Sequence, residues 1–352
     1  MGIDERSTRV LSIVEARNES NLQGLGDLAY PWLPRENPAA MQAEDAATRW
    51  VLEQGLLTDD RTAKRYHAVS VGRLAAMTHP EASPEILALI SQVMAWIFVQ
   101  DDIYDTAPAH EQRPELLEAK FARYLHVLRT RRAPADAGPT TRALVDLARR
   151  LHARGSERWY AHFIETMRRF WIDGIVVETY YRARGISPDP ASYMAMREQT
   201  VGVYICLDLV ELASGCELTE ELRADPILRR MTWLTSRIIA YVNDVFSYEK
   251  EREAGDMNNF LQVTLRYESY DLAEVVDHVV RTHDRELDQF CQLDGTTRDH
   301  GPWARRIVER YVEGCRSWMT GALAWQQVAG RYASGRALLG EQAKPRLAVN
   351  DR

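Results

Sequence analysis

This sequence has few cysteines, no excess of positive charge and no long apolar runs, and each of these shortages excludes a class of protein. Four cysteines in 352 residues, without C-x-x-C spacing, predict neither a zinc site nor a disulfide framework. The net charge of −7 at pH 7 leaves no basic face for phosphates, so we expect no nucleic-acid partner. Reduced, buried thiols are expected at Cys206, Cys216, Cys291 and Cys315.

Segments that insert into membranes are also missing. The opening residues, MGIDERSTRVLSIVEARNES, carry charge throughout and lack the apolar stretch of a signal peptide. No later segment contains eighteen consecutive uncharged apolar residues, the length that a membrane-spanning helix needs. We therefore expect a cytoplasmic protein without stable membrane insertion, and a homodimer is the default oligomeric state.

The sequence has no segment that alternates apolar and polar residues as a half-buried strand does. From about residue 40 onward, apolar residues recur at spacings of three and four, which is typical of amphipathic helices. Short connections between such helices favour antiparallel packing. The sequence predicts an all-α fold, a single-domain antiparallel helical bundle over residues 1–352, with the first 30 residues and the tail after Gly340 loosely ordered. Clusters of Pro and Gly predict helix breaks at 106–114, 133–140, 183–192 and 294–303.

The segment AWIFVQDDIYD, residues 95–105, places three aspartates directly after an apolar run. On a helix, Phe98, Asp101, Asp102 and Asp105 lie three or four residues apart and share one face. This face carries an aromatic ring first and carboxylates one turn further on. Like charges at this spacing weaken a helix. Mg²⁺ binds carboxylate oxygens together with substrate phosphates, so this face indicates a metal site. A solvated acidic helix end is the alternative explanation.

A second set of oxygen donors occurs in YVNDVFSYEKE, residues 241–251. Asn243, Ser247 and Glu251 recur every four residues, which places an amide, a hydroxyl and a carboxylate on one helix face. Lys250 beside them offers a positive charge for a phosphate. An ordinary polar face would have the same spacing. This motif therefore indicates a metal site only when it is taken together with the aspartate motif.

Together the two motifs resemble those of the bacterial-type class I terpene synthases, or terpene cyclases. In that family an aspartate-rich motif and an Asn/Ser/Glu motif face each other across a helical bundle with a central apolar cavity. The resemblance implies an isoprenoid diphosphate substrate. Farnesyl diphosphate is preferred because it is usual in the family, and geranylgeranyl diphosphate or a ten-carbon substrate is left open. It also implies a cluster of three Mg²⁺ ions bound by Asp101, Asp102, Asp105, Asn243, Ser247 and Glu251.

The resemblance extends over about residues 30 to 335. In MREQTVGVY it implies that Arg197 senses the diphosphate and that Thr200, Val201 and Gly202 form a helix break. A glycine inside a helical pattern weakens the helix, and a break there would expose backbone carbonyls to a bound cation. The sequence leaves open which of these carbonyls faces the cation.

Near the C-terminus, WMTGALAWQQVAGRY resembles the family's Trp followed by an Arg-Tyr pair. The resemblance implies that Arg331 and Tyr332 bind the diphosphate together with Arg197 and Lys250. Tryptophans at 318 and 325 and the tyrosine at 332 are seven residues apart and share one helix face. From this spacing we assign Trp325 to the apolar wall of the site, together with Phe98, and Trp318 to the core.

The activity implied is Mg²⁺-dependent ionisation of the diphosphate followed by cyclisation of the carbocation, which makes the protein a carbon-oxygen lyase acting on phosphates. Aromatic ring faces stabilise cations without attacking them, and a water-poor cavity protects the cations from quenching. The implied apolar wall therefore suits this chemistry.

Three alternatives remain at this point. A chain-elongating prenyl diphosphate synthase would have a second D-D-x-x-D in place of the Asn/Ser/Glu motif, and it ranks second. An HD-type metal phosphohydrolase would use His283, Asp284 and His67 as ligands, since imidazoles bind catalytic metals, but a surface His-Asp pair explains RTHDRE better. A non-catalytic helical scaffold would leave both acidic motifs unexplained.

Overall fold

The structure is a computed structural model that describes residues 28–106, 113–296 and 301–333. Of the predicted loose ends, the first 30 residues and the tail after Gly340, residues 1–27 and the tail lie outside the described residues. Within them the chain forms helices and no strand. The α-helices are α1 Ala40–Glu53, α2 Asp60–Val69, α3 Val71–Thr78, α4 Pro84–Thr106, α5 Pro114–Thr130, α6 Pro139–His152, α7 Glu157–Arg168, α8 Val177–Arg184, α9 Pro190–Thr200, α10 Val203–Ser214, α11 Glu220–Ala224, α12 Pro226–Ala254, α13 Phe260–Tyr267, α14 Leu272–Asp294 and α15 Pro302–Gln326. A π-helix, Arg169–Val176, joins α7 to α8, and a 3₁₀ turn, Gly330–Tyr332, follows α15.

The predicted breaks at 133–140 and 183–192 lie between helices, so these two predictions are confirmed, and most of 106–114 and 294–303 lies outside the described residues. Proline stands in the first turn of α5, α6, α9, α12 and α15, where its missing N–H group costs no helical hydrogen bond. Two of the site helices are also capped by aspartate. Asp189 accepts from the backbone of α9, and Asp225 accepts from the backbone of α12. Local sequence therefore fixes where both helices begin.

The helices pack around a central cavity as an antiparallel bundle, which confirms the predicted fold class. The segment Pro84–Tyr104 of α4 is long and apolar enough to span a membrane by length and composition. Most of that segment is buried inside the bundle, and its last turns lead into the aspartate motif. The apolar character of α4 is therefore that of a core helix.

All four cysteines are free, as predicted from their spacing. Cys216 and Cys315 are buried, and burial raises the pKa of the Cys315 thiol to about 12. Cys206 and Cys291 are only half-buried, so the prediction of four buried thiols is wrong for these two. Cys206 is accessible because it lines the central cavity.

Candidate active site

The aspartates lie at the C-terminal end of α4, where the helix dipole and their own repulsion both disfavour negative charge. Arg331 compensates for this: its Nη1 donates to Asp102 Oδ1 over 2.7 Å and its Nη2 to Asp101 Oδ2 over 3.0 Å. Burial alone would lower the pKa of Arg331, but the carboxylates of Asp102 and Asp101 outweigh burial and raise it. Asp105 is helical, and its side chain lies outside the described residues.

Asn243 connects three elements on the opposite wall of the cavity. Its Oδ1 accepts from Arg197 Nη2 over 2.6 Å, and its Nδ2 donates to the hydroxyl of Tyr332 over 2.9 Å. Ser247 and Glu251 follow on the same face of α12, and all three line the cavity, as does Lys250. The predicted spacing therefore does present one set of oxygen donors to the cavity.

Glu251 is the one acid of this set, and its pKa is shifted. Burial raises its pKa to about 8, and neighbouring carboxylates add to the increase, although Lys250 and Arg197 oppose it. Asn259 Nδ2 donates to Glu251 Oε2 over 2.8 Å and approaches Ser247 Oγ at 3.4 Å. Because burial and like charge both disfavour the carboxylate, a cation bound beside Glu251 would stabilise its charged form.

Arg197, on α9, is held by a branched network. Its Nε donates to Asp244 Oδ1 over 2.8 Å, and its Nη1 approaches Thr200 Oγ1 at 3.3 Å. The other carboxylate oxygen of Asp244 accepts from the Tyr193 hydroxyl over 2.7 Å and from the Phe260 N–H over 2.9 Å. The guanidinium is thereby fixed at the edge of the cavity by partners that are themselves fixed.

Asp244, the carboxylate that holds Arg197, is a residue that the sequence reasoning missed. It is 1% exposed, and it follows Asn243 directly in the sequence. The available signal was a carboxylate between the apolar residues of YVNDVF, because a buried carboxylate requires a partner. Helical spacing alone could not identify that partner as Arg197.

The predicted helix break is present between α9 and α10. Gly202 has φ 76°, a left-handed conformation that favours glycine. Its carbonyl accepts from Cys206 N over 3.3 Å at the start of α10, and Val201 N donates to Arg197 O over 2.9 Å. Thr200, Val201 and Gly202 all line the cavity, which places the break beside the polar network.

The apolar wall contains Phe98 and Trp325 as predicted, with ring centroids 5.9 Å apart. The indole N–H of Trp325 donates to Val69 O over 2.7 Å, so the ring is fixed in orientation. Trp318 belongs to the buried core, as predicted, and it lines the cavity as well. The small Ala322, on the same face of α15 between the two tryptophans, leaves both rings open to the cavity.

The cavity has a volume of about 150 Å³. Ligand pockets usually measure about 300 to 1,000 Å³, so this cavity, in which Arg331 bridges the two aspartates, is smaller than a usual ligand pocket. Among the predicted site residues whose side chains are described, all except Asp102 line it. Residues that the sequence reasoning missed also line it: Leu74, Met94, Ile97, Phe170, Glu178, Val203, Cys206, Ile239, Asp256, Asn258 and Gln326.

The donor set fits a hard divalent cation. The wall formed by α4 carries carboxylate oxygens, and the wall formed by α12 carries amide, hydroxyl and carboxylate oxygens. Hard divalent cations prefer oxygen ligands of these kinds, shared with phosphates. Among the described side chains, no group of three His, Cys, Asp or Glu could hold a metal ion by itself. Asn243 and Ser247 would therefore be needed alongside the carboxylates.

The residues proposed for the phosphohydrolase do not form a site. His283 Nδ1 is hydrogen-bonded to Asp284 Oδ1 at 2.9 Å, and His283 Nε2 is hydrogen-bonded to the Tyr30 hydroxyl at 3.3 Å. The histidine is buried rather than at the surface, and burial lowers its pKa. His67 is exposed on α2, and neither histidine lines the cavity.

Comparison with known proteins agrees with this geometry. Residues 92–289 match a family model described as terpene synthase family 2, C-terminal metal binding. The chain is 32% identical over 306 residues to a (+)-T-muurolol synthase of Roseiflexus castenholzii, covering 87% of this chain and 93% of that protein. It is 28% identical over 305 residues to a germacrene A synthase of Nostoc punctiforme, covering 87% and 94%. The crystal structure of germacradien-4-ol synthase from Streptomyces citricolor superposes with a TM-score of 0.75 at 26% identity, covering 86% and 98%.

The chain therefore belongs to the terpene synthase family, as its motifs predicted. It is a class I terpene cyclase, an enzyme of the lyase class whose domain binds a divalent metal. Because the chain belongs to this family, the two alternative functions, prenyl diphosphate synthase and HD-type phosphohydrolase, are not favoured.

Proposed function

We propose that the enzyme converts farnesyl diphosphate into a cyclic sesquiterpene and releases diphosphate, as a carbon-oxygen lyase. The observation that carries the proposal is the convergence of two oxygen-donor walls, two arginines and an aromatic wall on one cavity. The name of the Roseiflexus relative, which specifies cyclisation of (2E,6E)-farnesyl diphosphate, supports the fifteen-carbon substrate.

The metal ligands in this proposal are Asp101, Asp102 and Asp105 on α4, and Asn243, Ser247 and Glu251 on α12. When bound, a cluster of three Mg²⁺ ions would neutralise the diphosphate and favour its departure. The negative charge gathered around Glu251 supports a cation on the α12 wall. On the α4 wall, the aspartates already attract the guanidinium of Arg331.

Four residues would bind the diphosphate from the protein side: Arg197, Lys250, Arg331 and Tyr332. Arginine suits this role because its planar fork donates two parallel hydrogen bonds to phosphate oxygens. Arg197 and Arg331 reach the cavity from opposite walls, so both can contact one leaving group. Charge stabilisation at the leaving group is usually the largest catalytic term in such reactions.

The hydrocarbon chain would lie between Phe98, Trp325 and the other apolar lining residues. Loss of diphosphate leaves an allylic cation, which ring faces stabilise and which water would capture. A backbone carbonyl of the helix break formed by Thr200, Val201 and Gly202 would face this cation. We place the enzyme in the cytoplasm, as one catalytic domain that functions without membrane insertion, and a homodimer is the expected assembly.

The test is incubation of the purified protein with geranyl, farnesyl or geranylgeranyl diphosphate, each with Mg²⁺, followed by mass spectrometry of the extracted hydrocarbons. We expect a cyclic fifteen-carbon product from farnesyl diphosphate and none after chelation of the metal. The variant Asp101→Ala should lose most turnover while keeping its helical circular dichroism. Absence of hydrocarbon from all three substrates would refute the proposal, and formation of a longer diphosphate upon addition of isopentenyl diphosphate would favour chain elongation.

A further inference from the structure

The helix that packs against the α9–α10 break has π geometry in its middle. The π-helix Arg169–Val176 lies within one continuous helix over residues 157–184. π-helices are rare and occur frequently at functional sites. Arg168 donates to both carboxylate oxygens of Asp173, at 3.1 and 2.9 Å. This pair is separated by five residues, the spacing that a π-turn brings together, so side chains reinforce the unusual backbone.

The π-helix is also anchored to the core. Trp171 is 1% exposed and stacks on Phe121, with ring centroids 5.4 Å apart and an interplanar angle of 4°. The preceding residue, Phe170, lines the cavity. Because Trp171 is fixed on the core side, the surface that the π-helix presents to α9 has a defined position.

Gly174 forms the contact with the end of α9. A Cβ atom added there would stand 3.0 Å from Thr200 Cγ2, 3.2 Å from Gln199 Cβ and 3.3 Å from Thr200 N. Carbon atoms in ordinary contact are about 3.5–4.0 Å apart, so a methyl group would displace one of the two helices by a few tenths of an ångström. On the other side of the break, Phe170 Cε2 lies 3.8 Å from the Cβ position of Gly202.

We infer that Gly174 is a positioning residue for the cyclisation reaction. Because it has no side chain, the π-helix packs closely against the end of α9 and thereby sets the position of the α9–α10 break in the cavity wall. This inference rests on the proposed roles of Arg197 and of the break. Thr200 Oγ1 lies 3.3 Å from Arg197 Nη1, so a displaced Thr200 disturbs the guanidinium as well as the carbonyls of the break.

The direct test is Gly174→Ala. Misplacement of a catalytic group by 1 Å can cost about 100-fold in rate, so a shift of a few tenths should lower kcat about tenfold. We expect the KM for farnesyl diphosphate and the half-saturating Mg²⁺ concentration to change far less, and the hydrocarbon products to shift. Alanine is a better helix former than glycine, so circular dichroism and thermal midpoint should be retained. The matched control is Gly138→Ala, because a Cβ added there meets no atom within 4 Å and lies outside the cavity, so parental kinetics are expected.

A double variant isolates the contact. Thr200→Ser removes Cγ2, the atom nearest to the added methyl group, and keeps the hydroxyl beside Arg197. The loss of kcat caused by Gly174→Ala should therefore be smaller in the Thr200→Ser background than in the parent, with the part caused by the contacts to Gln199 Cβ and Thr200 N remaining. An equal loss in both backgrounds, or parental kcat and products for Gly174→Ala, would overturn the inference. A parent that forms no hydrocarbon from any isoprenoid diphosphate would instead refute the proposed function.

Discussion

The two polar walls of the cavity hold their charged groups in different ways. On the α12 wall, Asp244 is 1% exposed and binds Arg197, Tyr193 and the backbone of α13 at distances of 2.7 to 2.9 Å. On the α4 wall, the side chain of Asp101 is 34% exposed, and both aspartates are bridged by Arg331 from a 3₁₀ turn of three residues. On one wall the carboxylate is fully buried, whereas on the other a buried arginine pairs with two carboxylates that are partly exposed.

This difference suggests a division of labour under the proposed function. A buried charged network costs much to disrupt, so Arg197 keeps its position whether or not substrate is bound. On the α4 wall the carboxylates are partly exposed, so water can replace Arg331 as their partner; Asp101 and Asp102 can then bind a metal, and Arg331 can turn to the diphosphate. Substitutions on the two walls should therefore differ in kind as well as in size.

The largest effect is expected for Asp244→Asn. Removing the charge of one partner from a buried pair costs about 3–5 kcal/mol, because the remaining charge stays buried without compensation. We expect a loss of this order in the free energy of unfolding, measured by urea denaturation of the metal-free protein. Asp101→Asn is the control on the other wall, and a loss of at most about 1 kcal/mol is expected there. Equal destabilisation by the two variants would remove the distinction between the walls.

Next in size is Arg197→Lys. The guanidinium contacts Asp244, Asn243 and Thr200 through three different nitrogen atoms, and a single ammonium cannot reproduce this geometry. We expect kcat/KM to fall about 100-fold, or about 2.7 kcal/mol. Arg331→Lys should fall less, because its partners are two adjacent carboxylates that one ammonium can approach. If Arg197→Lys retains near-parental kinetics, Arg197 is not part of the site.

A smaller effect is expected for Glu251→Gln. Replacing a charged ligand by a neutral amide weakens a hard-cation site, so the half-saturating Mg²⁺ concentration should rise about tenfold, or about 1.4 kcal/mol. Glu253→Gln is a matched control, because Glu253 is exposed and lies two residues further along the same helix. Mg²⁺ titration of turnover distinguishes the two variants. A parental requirement in Glu251→Gln would mean that the Asn/Ser/Glu face does not bind the metal.

Much of this site was predictable because helical spacing is a local property. Residues three or four apart share a face whatever the rest of the chain does, so Asn243, Ser247 and Glu251 could be grouped from the sequence. The bond from Asp244 to Tyr193 joins residues 51 positions apart, and spacing contains no information about such a contact. The same limit applies to the contact of Gly174 with α9.

The cavity-lining position of Trp318 could not be predicted for a related reason. Trp318 and Trp325 share a face of α15, and periodicity predicts only that this face is buried. Whether a buried face meets another helix or a cavity depends on the volumes of side chains from several helices. Here the small Ala322 between the two rings leaves space beside both, which becomes visible only once the bundle is assembled.

The smallest effect on turnover, and the largest on products, is expected at the apolar wall. Phe98 and Trp325 line the cavity with ring centroids 5.9 Å apart, and the guanidinium of Arg331 lies 5.4 Å from the Phe98 ring. Both rings are therefore close to the proposed diphosphate site, at the position where the first carbocation would form.

Phe98→Ala and Trp325→Ala leave every proposed metal and diphosphate ligand in place, so ionisation should continue and diphosphate release should fall only a few-fold. A cation over a desolvated ring gains about 2 kcal/mol, which corresponds to more than a tenfold bias between competing cyclisation and deprotonation channels. Loss of either ring should therefore shift the products towards acyclic, early-deprotonated or hydroxylated species, as measured by mass spectrometry alongside a diphosphate-release assay. Tyr270→Ala, at an exposed ring outside the cavity, is the control and should leave the product spectrum unchanged. If both cavity variants release diphosphate and form hydrocarbons like the parent, the two rings serve packing alone, and the polar walls account for the chemistry without them.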